Sequence, residues 1–132
     1  MTDVLTTLPY ASFLELTSAM QADELIVTMP FEDRLVGDPI LPALHGGSTA
    51  ALLEFTAIAE IARVHPSLRL PRPINVSIAY LRSGKPIAVS ATAHVVRAGR
   101  RVAHVQATAW QAERDQPIAT LTAHFLMNDN NS

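Results

Sequence analysis

The sequence predicts an α+β domain in which an antiparallel β-sheet curls around one long central α-helix. Three features predict it. Gly46 to Val64 (GGSTAALLEFTAIAEIARV) is rich in alanine and leucine and, after its opening glycines, contains no helix breaker. Four later segments, Ile74 to Leu81, Ile87 to Val96, Val102 to Trp110 and Ile118 to Met127, alternate apolar and polar residues with a period of two. The turn signals between them, SGKP, RAGRR and AERDQ, are short, which implies antiparallel neighbours. The helix is apolar around nearly its whole circumference, so neighbours must enclose it, and a one-sided sheet wrapped around it satisfies both elements.

Taken in chain order, Pro9 to about Ala22 places Phe13, Leu14, Leu16 and Met20 at roughly helical spacing, with Pro9 suited to a first turn, and predicts a short amphipathic helix over about 9–22. Glu24 to Met29 (ELIVTM) is a strand candidate ended by Pro30. A second short strand fits Asp33 to Val36. Gly37 to Leu44 (GDPILPAL), with two prolines and a glycine, predicts an ordered loop. Ser48 or Thr49 would cap the long helix, which must stop before Pro66. The polar tail, about residues 128–132, should fray. A single domain spanning 1–132 is expected from the length.

Composition narrows the function. A formal charge of -2 gives no global reason to bind nucleic acid. The absence of cysteine excludes thiol catalysis, thiolate metal sites and a disulfide framework, and suits the cytoplasm. No apolar run reaches membrane-spanning length and the amino terminus lacks a basic, then apolar, leader, so no membrane association is expected.

The sharpest chemical anomaly is Glu54. Its helical neighbours are Ala50, Ala51, Ala57 and Ile58, so a carboxylate sits on an apolar stripe of a helix that should be buried. A buried charge is expensive unless paired or protonated, and two readings fit: an ion pair with an arginine of the sheet, or a catalytic acid. Glu60, three residues before Arg63, reads as a solvated pair. The second feature is His45-Gly46-Gly47 at the helix start, where free backbone N–H groups can stabilise an oxyanion and glycines let a ligand approach. Asn75, Ser77, His94, His104 and His124 fall on predicted strands with irregular spacing, and read as packing or surface residues without a metal site.

Together, ALHGGSTAALLEFTA and the following AYLRSG resemble the PaaI-like hot dog acyl-CoA thioesterases, over about Glu24 to Met127. The resemblance implies a hot dog fold, a homodimer or homotetramer with active sites between subunits, and a thioester of coenzyme A as substrate without a separate cofactor. It implies that the Gly46 N–H polarises the thioester carbonyl and that Glu54 of the other subunit attacks it or activates a water, with His45 orienting the turn. The phosphorylated nucleotide of coenzyme A would meet local positive charge, from Arg82 or from Arg97, Arg100 and Arg101, with Gly47 and Ser83 near the substrate. Pocket walls would come from Phe55, Ile58, Tyr80 or the loop before His45, in a combination the sequence leaves open.

The sequence departs from this family at three places. Pro39 stands where active relatives often carry Asn or Gln, Ile58 where some carry Thr, and Pro42 where glycine is frequent. Asp38 or Ser83 would then supply the polar group, or the chain holds an acyl-CoA without turnover. Dehydration of a hydroxyacyl thioester on the same fold ranks last, because those enzymes arrange His and acid differently.

Overall fold

A computed structural model describes residues 4–32, 36–38, 43–44, 46–65 and 70–127. A 3-10 turn (Val4–Thr7) and a five-residue helix α1 (Pro9–Phe13) lead into β1 (Thr17–Gln21) and β2 (Glu24–Met29). Two short strands, β3 (Val36–Asp38) and β4 (Ala43–Leu44), precede the long helix α2 (Gly46–Val64), and β5 (Arg72–Tyr80), β6 (Val89–Ala98), β7 (Val102–Trp110) and β8 (Ala119–Leu126) follow it. Six strands form one antiparallel sheet in the order β1-β2-β6-β7-β8-β5, with β3 and β4 paired apart.

The core lies between α2 and the inner face of this sheet. Ala91, Ala103, Ala107, Ala109, Ala119 and Ala123 are buried on that face, and their small side chains let the helix lie close to the strands. Leu52, Leu53 and Ile61 of α2 and Val105, Leu121 and Phe125 of the strands fill the layer. Thr56 is fully buried among them, its hydroxyl donating to the Leu52 carbonyl at 2.6 Å, so it adds no unmet polar atom. The expected architecture, a curled antiparallel sheet on a central helix, is the observed one: the hot dog fold.

Several boundaries differ from expectation. The amino-terminal helix expected to reach about residue 22 ends at Phe13, because Glu15 takes a left-handed conformation (φ 57°) and the Leu16 N–H turns back to the Ala11 carbonyl at 3.1 Å. Residues 17–21 are instead a strand, joined to β2 through Ala22 and Asp23, both at positive φ (50° and 65°), as a two-residue primed turn requires. Of the short strand expected at Asp33 to Val36, only Val36 is described, and it opens β3. The stretch expected to be a loop, Gly37 to Leu44, carries parts of both β3 and β4. Neither Ser48 nor Thr49 caps α2: the helix begins at Gly46 and both residues lie inside its first turns, buried. The expected tail, 128–132, lies outside the described residues.

The largest correction concerns β5, which does not form a hairpin with β6. It pairs with β8, from Arg72↔Leu126 to Tyr80↔Ala119, and β6 lies three strand positions away. Residues 81–88 can cross roughly 25 Å, whereas three inter-strand spacings need only about 14 Å. The crossing is pinned to the sheet it passes. The Leu81 and Arg82 N–H groups both donate to the Ile118 carbonyl (2.8 and 3.2 Å), and the Gln111 side chain bonds the Lys85 N–H and the Lys85 and Ile87 carbonyls. As a result β5 is an edge strand with most of its length exposed, including Ile74 and Val76.

Candidate active site

The amino-terminal end of α2 is built against the end of β5. Gly46 is the first helical residue, so its N–H has no partner within the helix and sits at the positive end of the helix dipole. The Tyr80 hydroxyl donates to the Gly46 carbonyl at 2.9 Å. A Cβ at Gly46 would stand 3.3 Å from the Tyr80 ring, so glycine here permits close approach. Beside this contact opens a cleft of about 400 Å³, whose walls include Gly46, Thr49, Tyr80, Arg82, Ser83 and Ile118. Gly47, the next helical residue, is exposed.

Arg82 is held at the rim, one Nη donating to the Pro117 carbonyl at 2.6 Å, while its remaining N–H groups are available to a ligand. Ser83 is exposed and shared with a smaller adjoining cleft of about 190 Å³, to which Lys85 and Gln111 also contribute. Sequence reasoning missed Lys85 and Gln111. It treated SGKP as a hairpin turn, and no local signal showed that this segment runs across the sheet end beside the cleft.

Glu54 lies two turns further along α2. It is half-buried, between half-buried Ala50 and Ala51 and buried Ala57 and Ile58. Among the described residues it has no hydrogen bond or ion pair; the arginine partner that one reading allowed is not there. Burial therefore acts unopposed and lifts its carboxyl above the ordinary carboxylate range. Glu54 is not a wall of the Gly46 cleft. Helix geometry sets it about 12 Å along the axis and turned by roughly 80° from Gly46.

The other expected site residues separate. Arg97, Arg100 and Arg101 are exposed at the β6–β7 hairpin, which adjoins the Leu126 end of β8, whereas the Gly46 cleft adjoins the Ala119 end, roughly 25 Å away. One chain does not bring the two positive clusters together. His45 lies outside the described residues. Asp38 closes β3 and only its backbone is described. Tyr80 is a cleft wall as expected, but Ile58 is buried in the core, and Phe55 faces the Tyr10 ring (centroids 6.0 Å apart), which itself stacks on Phe13. Glu60 forms a two-pronged pair with Arg63 (2.6 and 2.9 Å) that is largely shielded on the carboxylate side, a tighter pair than the solvated one expected.

No group of three His, Asp or Glu side chains among the described residues is arranged to hold a metal, and no described helix is long and apolar enough to cross a membrane. The arrangement offers an oxyanion donor at a helix start and, elsewhere on the same helix, a carboxylate of raised proton affinity. These are the two groups that hydrolysis of an activated acyl group needs.

Comparison with known proteins points the same way. Residues 38–126, about two-thirds of the chain, match the acyl-CoA thioesterase N-terminal domain family. A protein from Chromobacterium violaceum is similar at 32% identity, with 99% of this chain and 90% of that one covered and a TM-score of 0.77. A phenylacetic acid degradation-related protein from Ralstonia eutropha shares the fold at 20% identity, covering 89% of each chain with a TM-score of 0.78. A Bacillus halodurans protein solved with CoA does so at 24% identity, covering 89% of this chain and 77% of that one, with a TM-score of 0.79. No curated protein sequence matches. The chain belongs to the acyl-CoA thioesterase family, as a hot dog domain, and is a thioester hydrolase.

Proposed function

We propose that the protein hydrolyses a coenzyme A thioester in a site shared by two subunits, with Gly46 from one and Glu54 from the other. The Gly46 N–H donates to the thioester carbonyl oxygen a hydrogen bond that strengthens as that oxygen becomes an oxyanion. Glu54 either takes a proton from the water that attacks the carbonyl carbon, or attacks that carbon itself, in which case a water afterwards cleaves the mixed anhydride, releasing the free acid and restoring Glu54. In either route the C–S bond breaks and coenzyme A leaves as a thiolate, a good enough leaving group that no metal is required. Gly47 and His45 shape the turn that carries the donor, Asp38 or Ser83 supplies a polar contact near the reacting carbonyl, and Arg82 meets the coenzyme A portion at the cleft rim. Arg97, Arg100 and Arg101 serve the nucleotide end only where another subunit presents them. A homodimer or homotetramer and a cytoplasmic location, which the cysteine-free sequence suits, belong to the same reading.

The observation that carries it is Glu54: a half-buried carboxylate without a cation among the described residues, whose proton affinity burial raises toward the range where a carboxylate is an effective base. The CoA found with the Bacillus halodurans relative supports the substrate class. The test is thiol release from short, medium and aromatic acyl-CoAs by wild type and Glu54→Ala. Turnover by the wild type that the substitution removes is the expected result, and full activity in the variant excludes Glu54 as the acid. Saturable binding of the panel with no turnover would make the chain a non-hydrolytic acyl-CoA-binding member.

A further inference from the structure

Helix α2 opens on two glycines, Gly46 and Gly47, and glycine is the residue that loses most backbone freedom when it is fixed in a helix. The first N–H groups of a helix also have no partner inside it, so this end of α2 depends on contacts from outside to hold one conformation. Gly46 has no side chain with which to make them. Yet it carries the N–H proposed above as the oxyanion donor, and such a donor is effective only where its direction is set in advance of the reaction.

One contact from outside comes from Tyr80, the last residue of β5. Tyr80 pairs with Ala119, which is buried on the helix side of the sheet, so the tyrosine side chain projects toward α2. The chain just beyond it is fixed to the approach of β8. The Leu81 and Arg82 N–H groups donate to the Ile118 carbonyl (2.8 and 3.2 Å), and the Arg82 guanidinium donates to the Pro117 carbonyl (2.6 Å). From this anchored strand end the phenol hydroxyl donates to the Gly46 carbonyl at 2.9 Å. Helix geometry sends the Ala50 N–H to the same oxygen, so both of its lone pairs are used. A Cβ at Gly46 would stand 3.3 Å from the ring, and the tyrosine reaches the carbonyl because this position is glycine. Tyr80 is 57% exposed, so water could satisfy its hydroxyl equally well. The bond does not offset burial of the phenol, and its effect falls on the helix start.

We propose that Tyr80 is a positioning residue for the oxyanion donor, tying the glycine start of α2 to the end of β5. It pins Gly46 by the carbonyl and by the Cα beneath the ring, and the N–H bonded to that Cα keeps its direction. This role rests on the reading of Gly46 as the donor.

The test is Tyr80→Phe in the full chain, which keeps the ring as a cleft wall and removes only the hydroxyl. Without substrate, the Gly46 amide cross-peak should move and the Ala50 amide should exchange about fivefold faster, while Ala57 and Ile61, further along the helix, exchange as in wild type. With an acyl-CoA that the wild type turns over, kcat should fall about tenfold at nearly constant KM, because the donor loses its direction while the wall remains. Tyr80→Ala removes wall and hydroxyl together and should raise KM as well. Adding Tyr80→Phe to Gly46→Ala should cost less than about twofold more than Gly46→Ala alone, since the methyl already displaces the ring. An unmoved Gly46 cross-peak, or kcat in Tyr80→Phe equal to that of wild type, overturns the proposal; if Gly46→Ala still lowers turnover, the donor reading survives. Full activity in Gly46→Ala removes the donor reading and the role of Tyr80 with it. Faster exchange along the whole of α2 in Tyr80→Phe also overturns the proposal, because the hydroxyl would then support the fold and not the donor.

Discussion

Replacing Glu54 with glutamine should remove turnover and stabilise the fold in the same molecule. The carboxylate is half-buried among alanines and Ile58, finds no cation among the described residues, and is lifted above its ordinary value of 4.5 by burial alone. The folded chain therefore holds this proton more tightly than the unfolded chain. As pH rises from the ordinary value through the raised one, the unfolded state ionises first, and stability declines and stays lower above that window. Glutamine keeps the shape and removes the charge. Near neutral pH the variant should gain about 0.5–1 kcal/mol, a modest figure because the site is partly solvated. For a chain of this size that is roughly 2–5 °C in Tm. Well below pH 4.5 both proteins carry a neutral side chain and should melt together. In the thiol-release assay kcat should fall by about 10²–10⁴, the range for loss of a positioned base. A variant that is less stable than wild type at neutral pH would refute the reasoning, since it would mean the carboxylate is paired.

Other outcomes follow from the same geometry. Gly46→Ala should leave stability within about 0.5 kcal/mol, since Gly46 is not at positive φ and the exposed Tyr80 ring can give way, yet kcat/KM should drop about tenfold as the methyl narrows the cleft; melts and thiol release check both, and unchanged kcat/KM would count against the oxyanion role. Val76→Lys, on the exposed edge strand β5, should convert a dimer or tetramer to monomer in sedimentation, and a wild type already monomeric at micromolar concentration would remove the premise. Arg114, stacked over Trp110, bonds Glu24 and holds its carboxyl below the ordinary range. Glu24→Gln should therefore lose up to about 0.5 kcal/mol near neutral pH, a loss that disappears in chemical melts as pH falls through the lowered value, where the wild-type pair is itself protonated.

What could be read in the sequence was what depends on periodicity. The α2 span, Gly46–Val64, was legible as an uninterrupted apolar run closed by Pro66, although its start lies at the glycines and not after a cap at Ser48 or Thr49. Strands β6, β7 and β8 came within two residues at each end. Where the text failed, the chain uses costlier chemistry than the usual signals. The stop at Glu15 and the turn at Ala22-Asp23 place non-glycine residues at positive φ, so neither the helix end nor the β1–β2 hairpin carries Gly or Asn to announce it. The β5 placement depends on pairing with a strand whose partner residues lie 39 (Tyr80↔Ala119) to 54 (Arg72↔Leu126) positions later, which no local turn signal encodes. In the site, Glu54 was legible as a polar residue in an apolar frame. Tyr80's bond to Gly46 and the Gln111 staple were not, because both are long-range contacts between ordinary residues.

The distance along α2 links catalysis to assembly. A donor N–H to the carbonyl oxygen, the C=O bond and an attacking atom poised on the carbon together span at most about 7 Å. Gly46 and Glu54 are roughly 12 Å apart along one helix axis, and a glutamate reaching back toward the amino terminus recovers only about 4 Å of that, before the 80° turn between them is counted. Two groups on one helix thus fall short of one carbonyl, and the cleft that Gly46 lines is walled without Glu54. If both act on the same thioester, each site takes its donor and its carboxylate from different chains. An exposed β5 edge with Ile74 and Val76 on it is then more than an aggregation hazard to be covered. On this argument, Val76→Lys should lose activity in proportion to the fraction of monomer, although the substitution touches neither Gly46 nor Glu54.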